Sequence, residues 1–259
     1  MRALQAHAAA VAVVCAAHFF ALQSDSATAQ TSAPASTTQA AGPVQQPASP
    51  VTPLAVPTGV PPTVTAKPLT APTLPAPGVA SALACTAPAE LAHFEQPLAH
   101  TMRRLAEGQP LTIVAIGSSS TAGAGASSPV ATYPSRLAVE LRARLPGREI
   151  TVLNRGVNGE ETINMMARFS DDVLSAHPQL VLWQIGTNSV LRDHPLSPHG
   201  VRLHDGIEQL KAAGADVVLI DPQFAPTVLA KSETQGMVEQ IALAAKEENV
   251  DLFQRFAVA

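Results

Sequence analysis

Three short segments hold most of the residues that could do chemistry. The first, Gly117-Ser118-Ser119-Ser120-Thr121-Ala122-Gly123, is a turn of small, hydroxyl-bearing residues at the end of an apolar run that begins at Thr112. The second is Asn154-Arg155-Gly156-Val157-Asn158-Gly159-Glu160 and the third is Gly186-Thr187-Asn188. A serine hydroxyl is a weak nucleophile at neutral pH. Hydrolysis through one needs an imidazole to take the proton and a carboxylate to orient the imidazole. Taken singly, a Gly-Ser turn serves as well for a helix cap or an anion nest, and Gly-Thr-Asn for a plain turn. Their common position, each directly after a predicted strand, carries more weight than any one of them.

The elements that must position these segments alternate short buried apolar runs with helical periodicity. That pattern belongs to a parallel sheet covered by helices on both faces. Strands are predicted at Leu111 to Ile116, Ile150 to Leu153, Leu180 to Ile185, Asp216 to Ile220 and Val250 to Phe253. Helical spacing appears in Phe94, Leu98, Met102 and Leu105, with Pro97 placed to break or restart that helix. It appears again in Leu137, Leu141 and Leu145 behind a first-turn Pro134, and in Met165, Met166, Phe169 and Val173. Two more helices are expected from Leu203, Ile207 and Leu210, closed by Gly214, and from Met237, Ile241 and Ala245. The expected fold is α/β, flavodoxin-like, a three-layer α/β/α arrangement with a five-stranded parallel sheet. Its site would lie at the carboxyl ends of the strands. The final helix that would normally follow strand five is missing.

Other serine and phosphate motifs are excluded. A Gly-x-Ser-x-Gly elbow would need glycine at Thr121, a P-loop would need lysine after Gly123, and Gly123-Ala124-Gly125 lacks the third glycine of a dinucleotide turn. No zinc-ligand spacing occurs, and neither a metal nor an organic cofactor is implied. The net charge of −4 and the lack of a basic cluster argue against nucleic acid as a partner.

The N-terminal third differs in composition. Arg2, the apolar stretch from Ala8 to Leu22 and Ala27-Thr28-Ala29 together read as a signal peptide over residues 1–29, with an uncleaved anchor as the competing interpretation. Residues 30–84 are rich in Ala, Pro, Thr, Ser and Val, with Lys67 the only charge, and read as a disordered linker. The folded domain is expected over residues 85–259. The predicted location is outside the cytoplasm: periplasmic, extracellular or associated with the cell envelope. Of the two cysteines, Cys15 lies in the predicted signal, which leaves Cys85 as an odd thiol in an oxidising compartment.

In combination and order the three segments resemble the blocks of the SGNH (GDSL-type) hydrolases: Gly-Asp-Ser-x-Thr-x-Gly, then Asn-x-Gly-x-x-Gly, then Gly-x-Asn. The resemblance covers about residues 111 to 253. It implies Ser119 as the nucleophile, because Thr121 and Gly123 then fall on the family's threonine and glycine. It also implies that the Gly159 N–H and the Asn188 side-chain amide bind the oxyanion. Such donors suit the chemistry: negative charge develops on the carbonyl oxygen of an attacked ester, and one preorganised donor is worth about 3 kcal/mol of barrier. Ser118 stands where the family usually has aspartate, which puts the stability of the loop in question more than the chemistry. Ser189 stands where an aspartate often follows the asparagine.

The family's last block, Asp-x-x-His, has no counterpart. Three residues after Asp193, Asp205, Asp216, Asp221 and Asp251 stand Leu196, Glu208, Leu219, Phe224 and Gln254. The family places this block after strand five, so the expectation is a chain that is C-terminally incomplete. His194, His199 and His204 follow the third strand and are the histidines placed to substitute, with a surface role in a polar loop as the default; His177 lies at the wrong end of the sheet. The resulting expectation is an exported serine esterase or acylhydrolase, impaired for want of its Asp/His pair. Its substrate would be a small-molecule or polysaccharide-linked acyl or acetyl ester. Two alternatives stand beside it: a non-catalytic envelope protein that binds an acylated or carbohydrate ligand in the same cleft, and a phosphate- or nucleotide-binding flavodoxin-like module. Oligomeric state is not legible.

Overall fold

A computed structural model of the chain describes residues 88, 91 and 93–258. The expected signal peptide, the linker and Cys85 lie outside the described residues. Five strands form one wholly parallel sheet: β1 (Leu111–Gly117), β2 (Ile150–Gly156), β3 (Leu180–Gln184), β4 (Asp216–Ile220) and β5 (Asp251–Phe253). Their spatial order is β2-β1-β3-β4-β5, which is the flavodoxin-like order expected. The order reverses between β1 and β3, so the crevice at their carboxyl ends is the predicted position of a site.

The strands read as near-continuous apolar runs because both faces of the sheet are covered. Helices α1 (Ala99–Ala106) and α3 (Tyr133–Arg144) pack on one face, where Leu105, Leu137 and Leu141 meet Leu111, Ile113, Leu182 and Ile220. Helices α4 (Thr162–Ala167), α6 (Ser197–Ala212) and α8 (Thr234–Glu247) cover the other, where Met165, Leu203, Ile207 and Ile241 meet Val114, Ile116, Trp183 and Leu219. Trp183 is wholly buried there. Its ring lies edge-on to Phe169 with centroids 5.1 Å apart, and its indole N–H donates to the Met165 sulfur at 3.4 Å.

Several boundaries differ from the sequence expectation, for reasons of pairing and backbone. Strand β2 runs on through Asn154, Arg155 and Gly156 because these residues pair in register with Ala115, Ile116 and Gly117. The helix expected from Met165 through Val173 is interrupted. After α4 the backbone passes through a π turn at Phe169–Val173 and a 3-10 turn at Leu174–Ala176, ending on His177 at a φ of 47°. Phe94 lies outside α1, which begins after Pro97. Three short helices carried no amphipathic signal: α2 (Ser119–Ala122), α5 (Thr187–Leu191) and α7 (Pro226–Leu229). The first two open directly from the serine turn and from Gly186, so both are part of the site.

Candidate active site

The turn after β1 is built around a buried glutamine. Ser118 is buried, and its backbone N–H and its hydroxyl both donate to Gln184 Oε1, at 2.9 and 3.0 Å. The Thr121 hydroxyl reaches the same oxygen at 3.4 Å. Gln184 ends β3, beside β1 in the sheet, so its acceptor lies directly under the turn. The question raised by Ser118 is thereby answered: its hydroxyl and N–H pair with a neighbouring strand, and the loop needs no acid at this position. Ser119 follows as the first residue of α2, partly exposed, and no described side chain hydrogen-bonds its hydroxyl.

The second segment is drawn against the first. Val157 N–H donates to Gly117 O at 3.0 Å, which extends the β1–β2 pairing into the turn. Gly156 is required by close approach, since a Cβ there would overlap the backbone of Ala122 in α2. Gly159 has a φ of 79°, a left-handed conformation that glycine adopts without penalty. Arg168 anchors the segment from behind. Its guanidinium bonds both oxygens of Glu160, Asp172 Oδ2 at 2.7 Å and Arg155 O at 2.7 Å.

Asn188 ties the third segment to the second. Its side-chain N–H donates to Glu160 O at 2.7 Å, one residue beyond Gly159. An amide nitrogen carries two hydrogens, so one donor fixes the side chain while the other stays available to a ligand. Arg192, at the end of α5, donates to Gly159 O at 2.8 Å and to Glu161 Oε1 at 2.6 Å. Hydrogen bonds therefore join all three predicted segments at the carboxyl edge of the sheet, Gly117 to Val157 and Glu160 to Asn188, and a further bond ties Ser118 to Gln184 at the end of β3.

Glu161 is a residue that sequence reasoning missed. It accepts from Ser189 Oγ at 2.8 Å and from Arg192, and pairs with His194 Nδ1 at 2.9 Å. Burial pushes its carboxyl up, but the bonds from His194, Ser189 and Arg192 outweigh that and hold it below the usual carboxylate range. This carboxylate stiffens the Gly159 and Asn188 segments as one unit. It takes up the bond left by serine at position 189.

His194 lies in an exposed loop, as expected, whereas His199 and His204 lie in α6. His194 is engaged by Glu161. His199 is buried in α6, and burial, followed by the charge of Arg202, lowers its pKa, which favours the neutral ring. His204 pairs with Glu248 at 2.8 Å and Glu247 at 3.1 Å, just before β5 begins, and so lies at the opposite edge of the sheet from Ser119. None of these bonds reaches Ser119. Among the described residues no three of His, Cys, Asp and Glu gather as metal ligands.

The model of the Non-GDSL lipase-like family matches residues 84–259. The chain belongs to this family. A first block without the Gly-Asp-Ser-Leu sequence fits a Non-GDSL lipase-like protein, because here Ser118 and Gln184 hold the turn. An arylesterase of Vibrio mimicus is 32% identical over 80 residues, which span 31% of this chain and 40% of that protein. The chain thus aligns with less than half the length of that curated relative. Among solved structures, a catalytic mutant of Axe2, an acetylxylan esterase from Geobacillus stearothermophilus, superposes with a TM-score of 0.50 at 22% identity, covering 57% of this chain and 77% of that one. AlinE4, an SGNH-hydrolase family esterase, superposes with a TM-score of 0.50 at 24% identity over the same shares. This Non-GDSL lipase-like chain has a fold similar to that of these two esterases.

Proposed function

We propose that this chain is an exported serine esterase or acylhydrolase in which Ser119 attacks an acyl or acetyl ester. The Ser119 and Gly159 N–H groups and the Asn188 amide would then hold the oxyanion. The observation that carries the reading is the hydrogen-bonded convergence of the three segments on the point where the strand order reverses. Fixed donors at that point would stabilise developing charge without reorganising. The family and the fold support ester chemistry, and the likeness to an arylesterase and to an acetylxylan esterase suggests aryl or sugar acetates as first substrates. The composition of residues 1–29 supports export, with action at or outside the cell envelope.

The general base is the unfilled role. No Asp-x-x-His occurs in the 259 residues, and the bonds of His194 and His204 go to carboxylates rather than to Ser119. Loss of a triad member lowers turnover roughly 10⁴-fold, whereas an oxyanion hole and binding alone keep roughly 10³–10⁴-fold over water. Slow ester turnover is therefore expected of these 259 residues taken alone. Incubation with p-nitrophenyl acetate and, separately, with a fluorophosphonate tests this reading. Weak turnover and slow covalent labelling should both vanish in Ser119→Ala. Saturable binding of an acetylated oligosaccharide without any labelling would overturn it in favour of a binding protein.

A further inference from the structure

Behind the nucleophile turn lies a buried cation that the esterase reading does not use. Arg255 follows β5 by two residues, and its N–H donates to Phe253 O at 2.8 Å, a tight turn at the strand end. Arg255 is only 2% exposed. Its Nη1 donates to Ser120 Oγ at 3.3 Å and to Gln223 Oε1 at 3.2 Å. The same Gln223 oxygen accepts from Thr187 Oγ1 at 3.1 Å. Asp221, at the end of β4 and also buried, accepts the Phe256 N–H at 2.9 Å and bears on the guanidinium electrostatically, while burial pushes its own carboxyl up to about 7. One planar cation thus bonds Ser120 beyond β1 and Gln223 beyond β4, and Gln223 in turn bonds Thr187 beyond β3, so the chain of bonds reaches two sequence neighbours of site residues: Ser120 of Ser119, and Thr187 of Asn188.

We propose that Arg255 is a positioning residue that sets the distance between the serine turn and the Asn188 turn, through Ser120 on one side and Gln223 and Thr187 on the other. A buried charge is costly to keep and is retained here with directed hydrogen bonds to Ser120 and Gln223. A guanidinium suits the task because its donors lie in one rigid plane, whereas an ammonium on a flexible stem fixes no geometry. The consequence falls on reaction rate more than on binding, since misplacement of a nucleophile relative to its oxyanion donors by about 1 Å costs roughly 100-fold.

This inference rests on Ser119 being the nucleophile. The test follows covalent modification of the full chain by a fluorophosphonate, read by intact mass, with the maximal rate separated from the half-saturating concentration. Ser120→Ala and Thr187→Val leave the buried Arg255 and its bond to Gln223 in place. Each should lower the maximal rate about 3- to 10-fold with half-saturation within about 2-fold, and the double variant should be little worse than either single one, because both act through one guanidinium. Arg255→Lys should recover only part of the rate lost in Arg255→Met. Unchanged maximal rates in both hydroxyl variants, or losses that simply multiply, would overturn the inference even if Arg255→Met fails to fold. If the wild-type chain is not modified at Ser119, the esterase reading falls and this inference with it. If the wild-type chain is modified and the variants match it, only this inference falls.

Discussion

Replacing Gln184 by leucine removes the acceptor on which the serine turn is built. The side chain is 1% exposed, and its Oε1 receives the Ser118 N–H, the Ser118 hydroxyl and, at longer range, the Thr121 hydroxyl. Leucine is close in size and apolar, so little cavity forms, and the cost comes from donors stranded without water. A buried donor left unpaired costs about 1–3 kcal/mol. The Ser118 N–H cannot turn away, because the backbone is fixed by β1 on one side and α2 on the other. The Ser118 hydroxyl can rotate and recover part of its loss. Gln184 Nε2 has no hydrogen-bond partner among the described residues, so its removal returns something on the order of 1 kcal/mol. The net expectation is a destabilisation of about 1–4 kcal/mol, a fall in Tm of roughly 3–12 °C for a domain of this size. Urea unfolding followed by circular dichroism reads the stability, and fluorophosphonate labelling of the surviving native protein reads the turn. Both should fall, and Gln184→Glu, which keeps an acceptor, should label faster than Gln184→Leu. A leucine variant within about 0.5 kcal/mol of wild type, labelled at the wild-type rate, would refute the argument that this glutamine builds the turn.

Other perturbations separate the remaining parts. Asn188→Ala should slow labelling of Ser119 roughly 100-fold while costing only about 1 kcal/mol of stability, since it loses an oxyanion donor and one bond to Glu160 O; stopped-flow labelling beside urea unfolding distinguishes the two. Gly159→Ala should destabilise by about 1–2 kcal/mol, because an L residue must adopt a φ of 79° and its Cβ would stand 3.3 Å from Arg192 Nη2; thermal melts measure it. The His204–Glu248 pair gives a pH signature. The bond to Glu248 raises the His204 pKa, so that contribution is full below about 6.5 and is lost as pH rises through the raised folded value. The same bond lowers the Glu248 pKa, so its contribution is present above about 4.5 and is lost as pH falls through the lowered value. Urea midpoints from pH 4 to 8 should show a shallow maximum between these limits, less than about 1 kcal/mol high, and His204→Ala should flatten it.

The central strands were legible because each is an apolar run buried on both faces, and a parallel sheet offers few other placements for such runs; the edge strand β2, only partly buried, was legible over its apolar start, Ile150 to Leu153. Leu111 to Ile116 and Asp216 to Ile220 needed almost no adjustment. The short helices α2, α5 and α7 were not legible, since four or five residues carry no amphipathic period. Ser119, Gly159 and Asn188 could be proposed because small residues after strands are local signals and their order resembles a known set of blocks. Gln184, Glu161 and Arg255 could not. Gln184 reads as the polar end of an apolar strand, Glu161 as an acidic residue in a loop, and Arg255 as a basic residue beyond the last strand. The one available clue to Glu161 was a charge close behind Gly159, and that is too common to single out.

The sequence by itself determined the layers, the strand order class and the three segments that meet at the sheet edge, because burial period and turn composition are properties of neighbouring residues. The family likeness was also readable from those segments alone. Only the tertiary structure decided what holds them in place. Ser118 and Gln184 stand 66 positions apart, Ser189 and Glu161 28, and Arg255 and Ser120 135. A buried donor must find an acceptor wherever the folded chain brings one within about 3 Å. Which residue that is depends on the register of the strands and the direction of a side chain at the end of each. No local pattern encodes either.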